Sequence, residues 1–485
     1  MTQAGNFLKP MHVRSQAVPV TTALAVVIVV FLVLLTPVQL RAGTPVVLHR
    51  FTGYTGDPMT MDGANPAAVL TVDPGGGYVY GTTLNGGLGY GAVFAYQLSL
   101  LQYGLLYTFT GQSDGAAPGT GVVFGGWDLY GTTSAAQLDN CSGATGCGTV
   151  FRLTKLVPPC NPFCTYNLDT LYTFLGGTND GSAPHGEVVL DSSGNVYGTT
   201  RYGGMGTSGL GSICGDKRSA DKYGCGTVFQ LIPGPPKVFP WHENILWQFS
   251  YGMPSCGVDG LEPYGALTFD NSGSLFGTTL SGGKGSTNNG QYGMAFRLAK
   301  SGASWLEYII QSFDDGYSGG FPFGGLFYSN SFGALFGSDA NAGGNGTGTA
   351  YQLTPSASCS SWTYKKLQDM PTGLPTLNLS GLRGNLITGV TQNNYDLYGV
   401  ETTGGSGYGA IIKIPYAGGG MWGSPEPIFS FPSDGSYGLY PMGGLATDGQ
   451  GNLFGITYSG GTSCIINQTG DRNYRGCGVL FQITP

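Results

Sequence analysis

The phrase NVYGTT, residues 195–200, recurs in six further variants along the chain. They read YVYGTT at 78–83, DLYGTT at 128–133, SLFGTT at 274–279, ALFGSD at 334–339, DLYGVE at 396–401 and NLFGIT at 452–457. Their glycines lie 50 to 79 residues apart, so the period is loose and the insertions between copies fall in loops. Seven copies of one phrase predict seven structurally similar units.

One full copy, residues 262–313, shows what each unit contains. GALTFD alternates apolar and polar residues, and SLFGTTL, GMAFRLA and WLEYIIQSF follow as three further strand-like segments separated by turn residues. Four short antiparallel strands repeated seven times predict an all-β, seven-bladed β-propeller, because radial repetition leaves few exposed sheet edges. A solenoid is the structural alternative, although its repeats are usually shorter and more regular.

The two ends of the repeat region complete each other. Residues 46–51 resemble the fourth strand of a unit, whereas residues 478–484 resemble a third strand. We therefore predict that these two segments pair and close the ring. The YGTT phrase itself is interpreted as structural, since its aromatic residue packs between blades, its Gly allows close backbone approach and its Thr favours a strand.

Composition agrees with this fold and excludes some partners. Aromatic residues make up 12 % of the chain, charged residues only 10 %, and 87 of 485 residues are Gly, which is typical of a turn-rich β protein and not of a disordered one. The formal net charge of −7 repels nucleic acid and anionic lipid. Neither is predicted as a partner.

The N-terminus has the features of a targeting segment. Lys9 and Arg14 precede an apolar run at 23–35, and Ala42 offers a small residue at a cleavage point. Residues 1–42 are therefore predicted to be a signal peptide, with 44–485 forming a single propeller. The alternative is an uncleaved membrane anchor whose apolar segment extends over about 17–38, which would be the protein's one contact with a membrane.

The ten cysteines follow a pattern that indicates disulfides. Three of them stand in the phrases GCGTVF, GCGTVF and GCGVLF, each with another cysteine a few residues upstream. The predicted pairs are Cys141–Cys147, Cys214–Cys225 and Cys464–Cys477, together with Cys160–Cys164, while Cys256 and Cys359 stay unassigned. Repeated pairing inside loops is typical of an oxidising compartment, so the protein is predicted to be secreted or on the cell surface. Histidines are too few beside these cysteines to favour a metal site, and neither a metal nor a cofactor is predicted.

These phrases together resemble a known repeat family. DGSAPHGEVVLDSSGNVYGTTRYGG…GCGTVFQL, within 180–231, closely follows the pattern of the GloVer tandem repeat, named for Gloeobacter and Verrucomicrobia and found in secreted bacterial proteins. The resemblance extends over nearly all of the region after residue 42 and departs most in the sixth unit, at GNLITGVTQNNYDLYGVE. It implies an extracytoplasmic, propeller-like repeat protein, and it brings no established activity.

Chain direction predicts which face binds ligands. Connections from strand four to strand one and from strand two to strand three leave the blades on the same side, which we call the loop face. The longest insertions, 134–147, 201–225, 280–292 and 458–477, all belong to it. Long loops on one end of a rigid scaffold are where binding sites usually lie, so the loop face is predicted to carry the ligand.

Several polar residues of this face are candidate binding groups. A basic group in the third and seventh units is a candidate site for an anionic partner or polysaccharide, with solvated loop charges as the alternative: Arg201, Lys217, Arg218, Lys222, Arg472 and Arg475. A repeated Asp-Gly occurs at Asp62, Asp114, Asp180, Asp259, Asp315 and Asp434. A ring of carboxylates suits Ca²⁺ or sugar hydroxyls, but tight turns with Asp accepting backbone N–H groups explain a repeated feature better.

Catalytic candidates are sparse. His185 and Glu187 begin an inner strand near the expected channel mouth, where they would suit acid–base chemistry, and no recognised hydrolase, metal or phosphate motif accompanies them. This scarcity favours a binding scaffold for carbohydrate or protein over an enzyme. The alternatives are a polysaccharide lyase or glycosidase acting at the channel mouth, and a structural component of the cell envelope.

Overall fold

A computed structural model describes the chain over 43–54, 61–134, 147–156, 166–204, 224–234, 241–250, 259–283, 292–314, 318–340, 348–356, 361–369, 387–391, 394–403, 405–461, 464–465, 472–473 and 476–485. Backbone contacts divide the chain into two units, Met1–Arg41 and Ala42–Pro485. Because residues 1–42 lie outside the described ranges, the signal peptide and its alternative, the anchor, stay predictions.

The second unit forms seven small antiparallel sheets in a ring, which confirms the seven-bladed β-propeller. Blade 1 contains Thr71–Val72, Tyr78–Thr83, Ala92–Gln97 and Gln102–Thr108. Blade 2 contains Val123–Gly125, Asp128–Thr133, Thr149–Lys155 and Tyr166–Thr173. Blade 3 contains Gly181–Pro184, Val189–Leu190, Val196–Gly203, Thr227–Ile232 and His242–Gln248.

Blade 4 contains Gly260–Pro263, Thr268–Phe269, Leu275–Gly282, Met294–Ser301 and Ser304–Ser312. Blade 5 contains Phe327–Ser329, Ala334–Ser338, Thr349–Pro355 and Trp362–Asp369. Blade 6 contains Ile387–Thr391, Asn394–Glu401, Ala410–Ile414 and Glu426–Ser430. Blade 7 contains Leu439–Thr447, Leu453–Ser459, Val479–Ile483 and Val46–Arg50.

Short strand pairs lie beside the blades in the described part of the chain. Gly63–Ala64 pairs with Asn85–Gly86, Tyr416–Gly418 with Met421–Trp422, and Cys464–Ile465 with Arg472–Asn473, while Gly203 bridges Cys225. In blades 3 and 4 the two short inner segments both pair with the same neighbouring strand and are counted together as the first strand. With that count, the second strand of every blade carries the YGTT phrase or its variant. Among the described residues no helix is long and apolar enough to cross a membrane.

The ring closes as the sequence predicts. Strand Val46–Arg50 pairs antiparallel with Val479–Ile483, with Val46 opposite Gln482 and Arg50 opposite Val479. Next to this pair, the N–H of Gly43 donates to the carbonyl of Thr484 at 3.1 Å. The last blade therefore takes its outer strand from the beginning of the unit and the other three strands from its end.

The glycine of the repeated phrase is required by the strand beside it. A Cβ atom on Gly81, Gly131, Gly198, Gly277 or Gly455 would lie within 2.6 Å of the phenylalanine ring of the third strand in the same blade. That ring lies across the glycine because the two residues face each other in the strand ladder, as Gly81 faces Phe94. The structural interpretation of the phrase is confirmed.

Apolar side chains are buried between blades, in seven clusters of which each joins two neighbouring blades. Six of these seams contain the same ring pair, in which the aromatic residue after a fourth strand packs against the third-strand ring of the next blade, with centroids 5.1–5.5 Å apart. Phe174 against Phe229 is one example. The hydrophobic core is therefore a set of seams, and each blade is stable only against its neighbours.

In six of the seven blades a proline at the start of the inner strand packs against the preceding blade near the axis, and in blade 6 the residues before the inner strand lie outside the described ranges. A Cβ added to the glycine before a third strand would meet a proline ring of the next blade, as Gly478 would meet Pro66 at 2.7 Å. The residue before each such proline has a positive φ of 51–58° and donates its N–H to the preceding blade at 2.7–2.8 Å. These residues are Asn65, Ala117, Ala183, Glu262, Phe321 and Tyr440. The left-handed backbone costs each of the non-asparagine residues about 1 kcal/mol, which the seam contacts offset.

The inner strand is shorter than its sequence pattern indicates. GALTFD at 265–270 is predicted as one strand, but only Thr268–Phe269 pairs there, and Gly260–Pro263 pairs separately before it. The segment between them leaves the ladder because Gly265 packs directly against the backbone of Gly324 and Gly325 in the next blade. The unpaired segments of successive blades form the wall of the central channel.

Candidate functional site

The repeated Asp-Gly is a clasp between blades. Asp62, Asp114, Asp180 and Asp259 are buried, and the carboxylate of each accepts the N–H of the residue after the preceding blade's last phenylalanine, at 2.6–3.0 Å. The turn interpretation holds for these four, and their oxygens are already used by the protein. Asp315 lies outside the described residues.

Asp434 differs from the other four described aspartates because it does not stand at the clasp position. Each buried aspartate lies four residues before the proline of its inner strand, and in blade 7 that position, four residues before Pro441, is occupied by Tyr437. The Asp434 side chain is exposed, and its carboxylate accepts the N–H of Ser436 at 2.8 Å. This hydrogen bond holds the pKa of Asp434 below its ordinary value, so the group is ionised at neutral pH.

The channel opens into a cavity of about 300 Å³. Six blades line it with the residues that follow the inner proline, such as His185, Gly186 and Glu187 in blade 3 and Tyr264 and Gly265 in blade 4. Because these residues directly follow the connections from strand four to strand one, the cavity opens toward the loop face. Glycine and alanine make up half of the lining residues, and the large side chains are therefore the groups that define the site.

His185 and Tyr264 form one wall of this cavity. Their rings are stacked, with centroids 4.6 Å apart and planes 17° from parallel, and Phe323 packs edge-on against Tyr264 at 5.4 Å. Burial, together with the positive charge of Arg201, lowers the pKa of His185 to about 4. The imidazole is therefore neutral at physiological pH, with nitrogens able to donate to and accept from a ligand.

Glu187 borders the same cavity two residues after His185, on the side of blade 2. Its carboxyl lies against Gly121 of blade 2, where a Cβ atom would collide with Oε1. Oε1 is buried and has no hydrogen-bond partner among the described residues, while the N–H of Gly121 faces the carboxyl. Burial raises the pKa of Glu187 to about 8, so the group is protonated at neutral pH and offers a hydrogen-bond donor to the cavity.

Arg201 lies next to the stacked pair of His185 and Tyr264. Its guanidinium binds Glu262 of the next blade, with Nη2 2.8 Å and Nε 3.0 Å from Oε2, and lies 5.7 Å from the Tyr264 ring centre. Among the predicted basic residues this one is thus committed to an ion pair within the protein. Lys217, Arg218, Lys222 and Arg475 lie outside the described residues, and Arg472 is described only as part of strand Arg472–Asn473.

The disulfide pattern agrees with the sequence where it is described. Cys464 and Cys477 are bonded, with Cα atoms 5.8 Å apart, in the connection from strand two to strand three of blade 7. Cys147 and Cys225 are also disulfide-bonded, and their predicted partners Cys141 and Cys214 lie outside the described residues, as do Cys160–Cys164, Cys256 and Cys359. Disulfides of this kind are typical of an oxidising compartment.

Sequence reasoning identified His185 and Glu187 but missed Tyr264, Phe323 and Gly121. The signal for them is the repeated Pro-x-Gly-x segment, whose variable positions line the channel in successive blades. Within the described ranges no group of three His, Cys, Asp or Glu residues is placed to hold a metal ion.

Comparison with known families supports the repeat assignment. Residues 36–213 match the family described as the Gloeobacter/Verrucomicrobia repeat. The resemblance inferred from the repeated phrases is confirmed over that segment, and the propeller extends the same unit through the rest of the chain. No curated protein matches the sequence.

Solved structures with related folds are distant. An oxidoreductase described as a glucose dehydrogenase, from Thermus thermophilus, is 12% identical with a TM-score of 0.37, covering 90% of this chain and 100% of its own. An ulvan lyase bound to a saccharide is 11% identical with a TM-score of 0.31, covering 85% and 80%. A puromycin-hydrolysing peptidase of Mycobacterium tuberculosis is 12% identical with a TM-score of 0.45, covering 90% and 57%. At these scores, nothing about activity is transferred from them.

Proposed function

We propose that this protein is a secreted or cell-surface propeller that binds carbohydrate at the mouth of its central channel, on the loop face. One observation carries the proposal: a buried carboxyl oxygen without a partner among the described residues, Oε1 of Glu187, borders a cavity that also contains stacked His185 and Tyr264 rings. Sugars present hydroxyl groups at their edges and apolar C–H faces, which such an arrangement complements.

The charge of the cavity supports the same ligand class. Glu187 is protonated and His185 neutral at pH 7, and the cation beside them, Arg201, is paired with Glu262. The wall therefore offers neutral donors and acceptors, which suit hydroxyl groups. The disulfides hold neighbouring loops of the same face and lower the entropy cost of presenting them to a ligand.

Immobilised glycans test the proposal directly. Wild-type protein is expected to bind at least one polysaccharide of a broad panel, and Glu187→Ala to weaken that binding about tenfold, since one hydrogen bond contributes about 1 kcal/mol and truncation leaves its partner unsatisfied. Tyr264→Ala is expected to weaken it about threefold or more through loss of ring contact. Glu426→Ala and Tyr308→Ala, exposed on outer strands, are the matched controls. Uniform retention of all five proteins, or of none, contradicts the proposal.

Glycan cleavage is a second candidate, favoured by the opposite pKa shifts of His185 and Glu187. Such divergence leaves a neutral base and a protonated acid in one cavity. In an elimination, the imidazole would take a proton from the carbon beside a uronate carboxylate while Glu187 gives its proton to the departing glycosidic oxygen. Release of unsaturated products, lost in His185→Ala, would establish this activity, whereas binding without product formation would exclude it for the polysaccharides tested.

A further inference from the structure

A second polar cavity lies on the loop face, beside blade 7. Asp434 borders a space of about 310 Å³ together with Tyr408, Ser433 and three glycines, Gly435, Gly460 and Gly461. The four clasp carboxylates accept backbone N–H groups across a seam, such as those of Thr52 and Thr110. Asp434 lies three residues before the clasp position of its blade, its carboxylate accepts the N–H of Ser436 within its own loop, and its side chain is exposed at the cavity.

The second cavity adjoins the channel mouth through blade 7. Leu439 borders the second cavity and Met442 borders the channel cavity, and both belong to strand Leu439–Thr447. On the neighbouring strand and its end, Tyr458 borders the channel cavity and Gly460 the second cavity. Three strand residues span about 10 Å, so the two cavities are successive positions along one path.

We propose that the ligand is an oligosaccharide chain that runs from the channel mouth into this second cavity, where Asp434 accepts hydrogen bonds from the hydroxyls of a further, uncharged sugar unit. The inference rests on the proposed function of the channel mouth. It adds the length of the ligand and the charge of its second position, because an ionised carboxylate accepts hydroxyl protons and repels uronate or sulfate groups.

The composition of the second cavity supports a sugar more than a metal ion or an apolar ligand. Among the described residues that line it, Asp434 is the single carboxylate, and cation sites use several oxygen ligands. The Tyr408 ring, packed near Tyr440 with centroids 6.1 Å apart, offers a surface for a sugar face. The glycines leave the floor without side chains, so a ring can approach the backbone closely.

Isothermal titration of the full-length protein with uncharged gluco-, xylo- and manno-oligosaccharides of about one, two, four and six units tests this inference. Wild-type affinity is expected to rise about tenfold between the short and the long members of the series that binds. Asp434→Asn is expected to remove that rise without changing affinity for the short members. Glu187→Ala is expected to weaken all lengths equally, and Asp448→Asn, in a turn on the opposite face, to change none.

Tyr408→Ala provides an independent variant. It removes the ring that borders the second cavity, does not line the channel cavity, and is therefore expected to reduce the gain with length. A length-dependent gain that survives in both Asp434→Asn and Tyr408→Ala overturns the inference and leaves the channel-mouth site standing. An affinity that does not depend on oligosaccharide length but is weakened by Glu187→Ala also overturns the inference and leaves the channel-mouth site standing. Absence of any binding by wild type overturns the proposed function and this inference together.

Discussion

Glu187→Gln isolates the electrostatic consequence of placing a carboxyl in the channel wall. Burial raises the pKa of Glu187 from its ordinary 4.5 to about 8. Between these pH values the folded protein keeps a proton that the unfolded chain has released, so the free energy of unfolding falls as pH rises. At about 1.36 kcal/mol for each pH unit, the interval corresponds to roughly 5 kcal/mol. Glutamine does not titrate, and the variant should lack this fall.

Urea unfolding of both proteins at about pH 5 and pH 9 measures the effect. Relative to wild type, Glu187→Gln is expected to gain about 4 kcal/mol of unfolding free energy on going from the lower to the higher pH, because three pH units of the interval lie between pH 5 and the pKa of about 8. Other buried acids, such as Glu243 and Glu307, titrate in both proteins and cancel in the difference. Glu426→Gln, on an exposed outer-strand residue, should show no such gain. Parallel pH profiles for wild type and Glu187→Gln would refute the placement of this carboxyl in a desolvated wall.

Three further outcomes are expected. Gly478→Ala should destabilise the protein by about 3 kcal/mol, because the new Cβ atom would collide with the Thr457 carbonyl and would meet Pro66 at 2.7 Å where the ring closes, whereas Gly194→Ala, with open space around it, should cost about 1 kcal/mol; equal losses in thermal denaturation would speak against the close packing at Gly478. Cys464→Ser should lower the free energy of unfolding by about 3 kcal/mol, since the disulfide joins residues 13 apart, and this difference from wild type should vanish in strong reductant. Glycan affinity should fall as pH rises through about 8 in wild type and stay level in Glu187→Gln, which keeps a donor without titrating; identical pH profiles would count against Glu187 as the donor.

The repeated phrases were sufficient to predict the ring, because each unit must bury the same residues against its neighbours. The same reasoning predicted the pairing of 46–51 with 478–484, because the two segments are the missing strands of one blade. It also predicted the Cys464–Cys477 bond, because both cysteines belong to one loop. It also placed His185 and Glu187 at the channel mouth, since both begin an inner strand.

The repeat pattern could not predict which residues contact His185 and Glu187. Tyr264 stacks on His185 from the next blade, and Gly121 makes room for Glu187 from the preceding one, so each contact joins positions more than sixty residues apart in sequence. A repeat shows what every unit shares, whereas the site is made of what differs between adjacent units. Blade 7 illustrates this, because Tyr437 stands where four other blades have the clasp aspartate, and the side chain of Asp434, three residues earlier, is exposed.

Because strand Val46–Arg50 completes blade 7, the ring can close only after the chain has been synthesised as far as Val479–Ile483. A ribosome produces this strand before the others of the ring and its partner Val479–Ile483 after them, so it must wait for all seven blades before it can pair. A prematurely terminated chain would keep both a bare strand edge and an unfilled gap in the circle. Such products would be open to proteases, and intact molecules would be selected without any dedicated checkpoint.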